Sequence, residues 1–198
     1  MARIGFKKAK YNKHDTTKDK FATLTDSKVP GFEKVVDEKF APEYNNAELY
    51  GNDTLAESDN TFKKGTLTLT LVDDNDKTDA ELLGNTIATE TSNKDEVTMA
   101  VDDTAPEVGY GHIIPKLVNN VKKYKVEFFP RVKFTKVTHD AKTRGESVEF
   151  TTVSIEGTVY PLDKEFNGIP AGTWEKHKTF DSLASAETYL DTLLTPTA

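Results

Sequence analysis

The chain has no cysteine, which removes thiol nucleophiles, zinc–thiolate sites and disulfide frameworks together. It has no run approaching the roughly 20 apolar residues of a membrane-spanning helix. The basic segment Met1–Lys10 lacks the apolar stretch and small-residue cleavage site of an export signal, so cytoplasmic synthesis is expected. A positive balance is missing as well: 26 Lys and Arg stand against 33 Asp and Glu, a formal charge of −7. Holding nucleic acid through its phosphates needs concentrated Lys and Arg. The balance remains compatible with a surface that DNA passes without adhering.

Catalytic and metal motifs are equally scarce. None of the histidines His14, His112, His139 and His177 stands three or four residues from another, and no HExxH occurs. His112 lies in the apolar segment VGYGHIIP and reads as a packed, hydrogen-bonded ring. The acidic run Asp73–Asp79 fails as a calcium loop, because counting from Asp73 the sixth position is Thr78 and the twelfth Gly84. It reads as a strand-to-helix turn with carboxylates near a helix N-terminus. Gly109-Tyr110-Gly111 lacks the third glycine and the Lys-Ser/Thr ending of a phosphate loop, so close packing or a bend is expected there. The expectation is no catalytic residue, no cofactor and no metal.

What the chain does have is alternation. Its 198 residues, 36% hydrophobic and 30% charged, suffice for one domain with a full core. In Gly65–Val72, Leu67, Leu69 and Leu71 share one face and Thr66, Thr68 and Thr70 the other, as in a half-buried strand. Tyr124–Phe134 repeats the pattern, with Tyr124, Val126, Phe128, Val132 and Phe134 on one face and mostly basic residues on the other. Pro130 inside it signals an edge or a bulge. Ser147–Tyr160 changes parity at Thr151–Thr152, which predicts a second bulge. These two segments pair as an antiparallel hairpin. Further strands are expected at Arg3–Asn12, Phe21–Val29, Glu33–Ala41, Val97–Val101 and Val108–Val118.

Helical spacing predicts two helices: Asp79–Leu83, stopped by Gly84, and Ser182–Leu194 behind an Asp181 cap. Pro42–Thr61, rich in Asn, Asp, Glu and Ser, reads as a protruding loop long enough to have a task. The expected architecture is mainly β, an antiparallel sandwich or barrel with a short flanking helix and a C-terminal helix. The expected domain spans residues 1–160, followed by a C-terminal extension over 161–198 that is integral or decorative. The basic residues around Tyr124–Phe134 form a solvated face and no nucleic-acid platform, since aromatic and basic side chains fall largely on opposite sides.

Several segments in order resemble the major tail protein family of long-tailed, non-contractile phages. They are RIGFKKAKYNK at the N-terminus, AELYGNDTLAESDNTFKKGTLTLTL (Ala47–Leu71), DAELLGNT (Asp79–Thr86), APEVGYGHII (Ala105–Ile114), YKVEFFPRVKFTK (Tyr124–Lys136) and TRGESVEFTTVSIEGTV (Thr143–Val159). The resemblance implies a fold of the tail tube type and a structural role in the virion tail. Subunits would close into homo-hexameric rings and stack into a tube around the tape measure protein. The tail terminator and the baseplate or distal tail proteins would meet its ends, DNA would transit the lumen, and no membrane would be involved. By the same resemblance, the N-terminal segment with Ile4 and Phe6 and the arm residues Tyr44, Leu49, Tyr50 and Leu55 are expected at inter-subunit contacts. Thr66, Thr68 and Thr70 are expected at the lumen or beneath the terminal helix.

Other classes remain open from the residues alone. A carbohydrate- or surface-binding β-sandwich would present exposed aromatics, with Trp174 the candidate. A sandwich hydrolase would draw carboxylates from distant segments. A tail terminator or a contractile-tail tube protein shares the expected fold.

Overall fold

Period-two alternation folds into antiparallel strands, as its geometry dictates. The computed structural model describes residues 2–24, 28–32, 34–51, 54–72, 75–90, 92–138 and 152–197. In chain order its elements are β1 (Ala2–Arg3), β2 (Lys7–Asp15), β3 (Lys20–Phe21), β4 (Val35–Tyr44), β5 (Ala47–Gly51), β6 (Thr54–Asp59) and β7 (Phe62–Leu71). Then follow α1 (Asp76–Leu83), β8 (Thr86–Ile87), β9 (Val97–Thr98), β10 (Glu107–Val118), β11 (Val121–Thr138), β12 (Val153–Val159), β13 (Lys176–Phe180) and α2 (Leu183–Leu194). The main sheet runs β3-β2-β10-β11-β12-β7-β4, with β1 beside β10 and β13 beside β11. It forms no closed barrel. One isolated bridge, Lys10↔Gly31, ties β2 to the segment that leads into β4.

β10 and β11 are the centre of the sheet. Asn119 and Asn120, at φ +50° and +60°, make the tight turn between them, a conformation that asparagine tolerates and that suits the sheet twist. Residues Val108–Pro115 are buried throughout, as expected of a strand covered on both faces. One cluster gathers Leu67, Leu69, Leu71, Leu82, Tyr110, Phe129, Val132, Phe134, Ile155 and Val159. The other gathers Phe21, Ile113, Val126, Phe128, Phe166, Ala186, Leu190 and Leu194. Close approach explains two glycines here. A Cβ on Gly109 would lie 2.5 Å from the Phe21 ring, and one on Gly111 would lie 2.5 Å from Leu190 Cδ1.

Pro130 decides how β11 divides between these clusters. The register slips between Val108↔Val132 and Tyr110↔Phe129, so β11 carries an extra residue at Pro130. A bulge spares the missing N–H. The strand is nevertheless central, not an edge. The slip also corrects the expectation of one apolar face. Val126 and Phe128 point under α2, whereas Phe129, Val132 and Phe134 enter the opposite cluster. The expected pairing of β11 with β12 is present from Val132↔Val159 to Thr138↔Ser154, with a register shift at Thr135. Thr151 of the expected second bulge lies outside the described residues.

Other boundaries move for local reasons. The expected strand Arg3–Asn12 breaks at Gly5, where φ is +85°, into β1 and β2. The strand expected at Phe21–Val29 shortens to Lys20–Phe21, and that at Val97–Val101 to Val97–Thr98. Helix α1 starts at Asp76 because Asn75 caps it, its side chain accepting from the Thr78 N–H at 3.3 Å. Helix α2 is capped by Ser182, whose Oγ accepts from the Ser185 N–H at 3.1 Å; Asp181 instead pairs with Lys123 at 2.9 Å.

Gly84 ends α1 in the left-handed region at φ +80°, and a Cβ there would stand 2.2 Å from the Thr104 carbonyl oxygen. Gly84→Ala is therefore expected to destabilise the subunit by about 1–3 kcal/mol. An unchanged urea midpoint would contradict this.

Candidate functional site

Pro42–Thr61 is not a loop. β4 pairs with β7 from Val35↔Leu71 to Tyr44↔Phe62, and the Asn45 N–H donates to the Thr61 carbonyl at 2.8 Å. β5 and β6 then continue from Ala47↔Asp59 to Gly51↔Thr54. The composition hid this because both strands are rich in polar residues and show no hydrophobic alternation. β12, the other neighbour of β7, ends its pairing at Val159↔Gly65. Beyond that point the ribbon has no third strand among the described residues. From Glu43 to Gly51 it extends roughly 30 Å at the usual rise per residue.

β4 is also the end of the sheet order, so among the described residues one side of its backbone carries no partner strand. Pro42 in this strand fits an edge position. Tyr44 is 51% exposed and Ile4 48%. Phe6 differs from both: it is half-buried and stacks on His112 at 5.1 Å between ring centroids. Leu49, Tyr50 and Leu55 lie on β5 and β6 in the ribbon, with Tyr50 and Leu55 opposite each other; their side chains lie outside the description.

Thr66, Thr68 and Thr70 are half-buried. Their cross-strand neighbours are Thr158, Glu156 and Ser154 on β12 and Ala41, Lys39 and Asp37 on β4. Helix α2 packs on β2, β10, β11 and β13. The threonines thus belong to a polar three-strand face.

His112 is the centre of a polar cluster that sequence parity could not reveal. It is 1% exposed. Its Nδ1 lies 2.9 Å from Glu38 Oε2, off the line of a hydrogen bond, and its Nε2 lies 3.4 Å from Glu127 Oε2. The Tyr110 hydroxyl donates to Glu38 Oε2 at 2.7 Å. Lys125 Nζ contacts Glu127 Oε1 at 2.5 Å. Burial by itself would lower the His112 pKa, but the two carboxylates outweigh it and the net direction is upward. Burial would raise the Glu127 pKa; His112 and Lys125 overcome this and hold it at about 2. Burial and the Glu38 carboxylate push Tyr110 well above its ordinary value. A cavity of about 230 Å³ adjoins the cluster, lined by Gly5, Phe6, Val36, Asp37, Glu38, His112 and Ile114. The N-terminal segment and the root of the ribbon meet there.

The other candidates resolve into packing. Trp174 stacks with Phe62 at 4.2 Å and with Phe40 at 5.8 Å between ring centroids, which occupies the ring that a sugar would need. His14 stacks on Phe166 at 3.9 Å, and one ring nitrogen lies 2.8 Å from the Pro130 carbonyl. Its pKa is lowered, chiefly by burial. Of the basic residues near β11, Arg131 pairs with Glu107 at 2.8 Å and Asp163 at 3.3 Å. Asp73 and Asp74, and His139, lie outside the described residues.

No protein-family model matches this chain, and no curated protein matches its sequence.

Proposed function

We propose that this chain is a tail tube subunit of a long-tailed, non-contractile phage, without catalytic activity. Copies close through heterologous contacts into hexameric rings, and the rings stack into a tube around the tape measure protein. Within the mainly β fold, the two-sided packing about β10 and β11 is read as the sandwich-like body of such a subunit. The observation that carries the proposal is the ribbon β4–β7 with its extension β5–β6, joined to an edge that no strand covers among the described residues. A two-stranded ribbon is marginal in water by itself, and a long open edge is a template for another chain. Both find partners when subunits assemble. The threonine row, with Glu156, Lys39 and Asp37 beside it, gives a polar face of mixed sign that suits a lumen DNA passes without adhesion, and the formal charge of −7 acts in the same sense.

Electron microscopy of the purified protein at rising concentration tests this reading: hollow tubes or six-fold rings are expected. Since Tyr44 and Phe62 face each other, residues 45–61 can be replaced by Asn-Gly, which closes a two-residue hairpin. The shortened subunit is expected to keep its urea midpoint within about 0.5 kcal/mol of stability, as changes away from a core do, and to form no tubes. Normal tubes from it would remove the ribbon from the assembly mechanism.

A further inference from the structure

The cluster around His112 joins four parts of the chain that are distant in sequence. Glu38 comes from the edge strand β4, Tyr110 and His112 from β10, Lys125 and Glu127 from β11, and Phe6 covers the ring from the N-terminal segment. Asp37 also lines the adjoining cavity. Phe6 brings no charge. Glu38, His112 and Glu127 hold three donors within 4.8 Å of one another, and the arrangement suits a proton on the ring. The two carboxylates flank opposite nitrogens of the ring, which places one beside each N–H of an imidazolium. Lys125 already neutralises Glu127. With the ring doubly protonated, the imidazolium has a carboxylate beside each of its nitrogens, and Lys125 stands against Glu127. Removing the ring proton would take a positive charge from between two buried carboxylates, which a low-dielectric interior penalises.

We propose that His112 is a buried imidazolium latch that holds the N-terminal segment and the root of the ribbon onto the sheet, and that its deprotonation loosens both. The latch is a property of the single subunit; its bearing on assembly rests on the tail tube reading, because the segments it holds are those assigned to inter-subunit contact. A buried histidine between carboxylates is a recognised form of pH-sensitive element. Geometry supplies the two states. With the proton, Glu38 is drawn to the ring across the β4–β10 gap. Without it, Tyr110 remains the donor to Glu38, and Phe6 stacks on a neutral ring.

The test uses the full chain, labelled with ¹⁵N at histidine, at a concentration where it is monomeric. The His112 nitrogens are expected to show imidazolium shifts at about pH 6, with a midpoint above the ordinary 6.5. Hydrogen exchange corrected for intrinsic rate is expected to show protection over residues 35–44 falling about tenfold or more across that titration, the factor carried by one pKa unit. Protection in β10 and β11 should hold. H112Q should leave β4 weakly protected at every pH, with no titration. Should H112Q fail to fold, E38Q carries the test, and its His112 midpoint should move down toward the ordinary value. A neutral ring at about pH 6, flat protection of β4 across the ring titration, or Zn²⁺ displacing the ring proton at stoichiometric concentration would each overturn the latch. Tube formation is scored separately by microscopy. A latch that titrates in a protein that never forms tubes leaves the latch standing and removes the tail tube reading.

Discussion

A chain ended after Phe180 is expected to be unfolded, not merely trimmed. Ala186, Leu190 and Leu194 of α2 are fully buried, and they cover Phe21, Ile113, Val126 and Phe128. Leu190 and Leu194 sit where Gly111 and Gly109 leave room, with hypothetical Cβ atoms 2.5 Å from Leu190 Cδ1 and 3.2 Å from Leu194 Cδ2. Losing one buried leucine typically removes about 2–5 kcal/mol. Two such losses approach the whole stability of a typical domain, about 5–15 kcal/mol. Polar anchoring goes with them. The Asn12 side chain, itself buried, donates to the Leu194 carbonyl at 2.8 Å, and Asn167 donates to the Thr195 carbonyl at 3.0 Å. Lys10 also loses its ion pair with Asp191. The truncated chain should give collapsed NMR dispersion and bind hydrophobic dye. Leu190→Ala in the intact chain should stay folded and lose about 2–5 kcal/mol. A cooperative melt from the truncated chain would make residues 181–198 the decoration that their position in the sequence allows.

The strands that face a core were legible from alternation, as β7 shows through Leu67, Leu69 and Leu71. The ribbon was not legible, because its pairing is carried by backbone hydrogen bonds between polar residues and leaves no pattern in side-chain type. Pro130 was readable as a possible bulge, but its consequence was not. One extra residue transfers Val132 and Phe134 to the other side of the sheet, and only the cross-strand register reports that. The same slip hid the candidate site. Glu127 alternates with Val126 and Phe128, so simple parity assigns it to solvent; with Phe129 it instead lies toward the buried side occupied by His112. Glu38 comes from a strand some seventy residues earlier, and no spacing rule connects it to β10. The helix starts failed more simply, since Asp181 and Ser182 are both good caps and only backbone geometry chooses between them.

Replacing His112 by alanine is expected to remove about 3–5 kcal/mol of stability at about pH 6, the usual effect of deleting one member of a buried charge pair. The substitution leaves the buried carboxylates Glu38 and Glu127 without the ring between them, while the Tyr110 hydroxyl still donates to Glu38 and Lys125 still pairs with Glu127. The pH dependence gives the sharper test. The His112 pKa is raised, so its contribution is fully present below the ordinary 6.5 and is lost as pH rises through the raised value. The Glu127 pKa is lowered to about 2, so its contribution is present above the ordinary 4.5 and is lost as pH falls toward 2. The stability difference between the native protein and His112→Ala should therefore be widest between about pH 4.5 and 6.5 and narrow on both sides. His14, whose pKa burial lowers, titrates with the opposite sign, but it does so in both proteins and cancels in the difference. Urea midpoints measured across this range decide the matter. A difference that stayed constant into alkaline pH would show that His112 acts through shape alone, and that no proton holds the edge strand to the sheet.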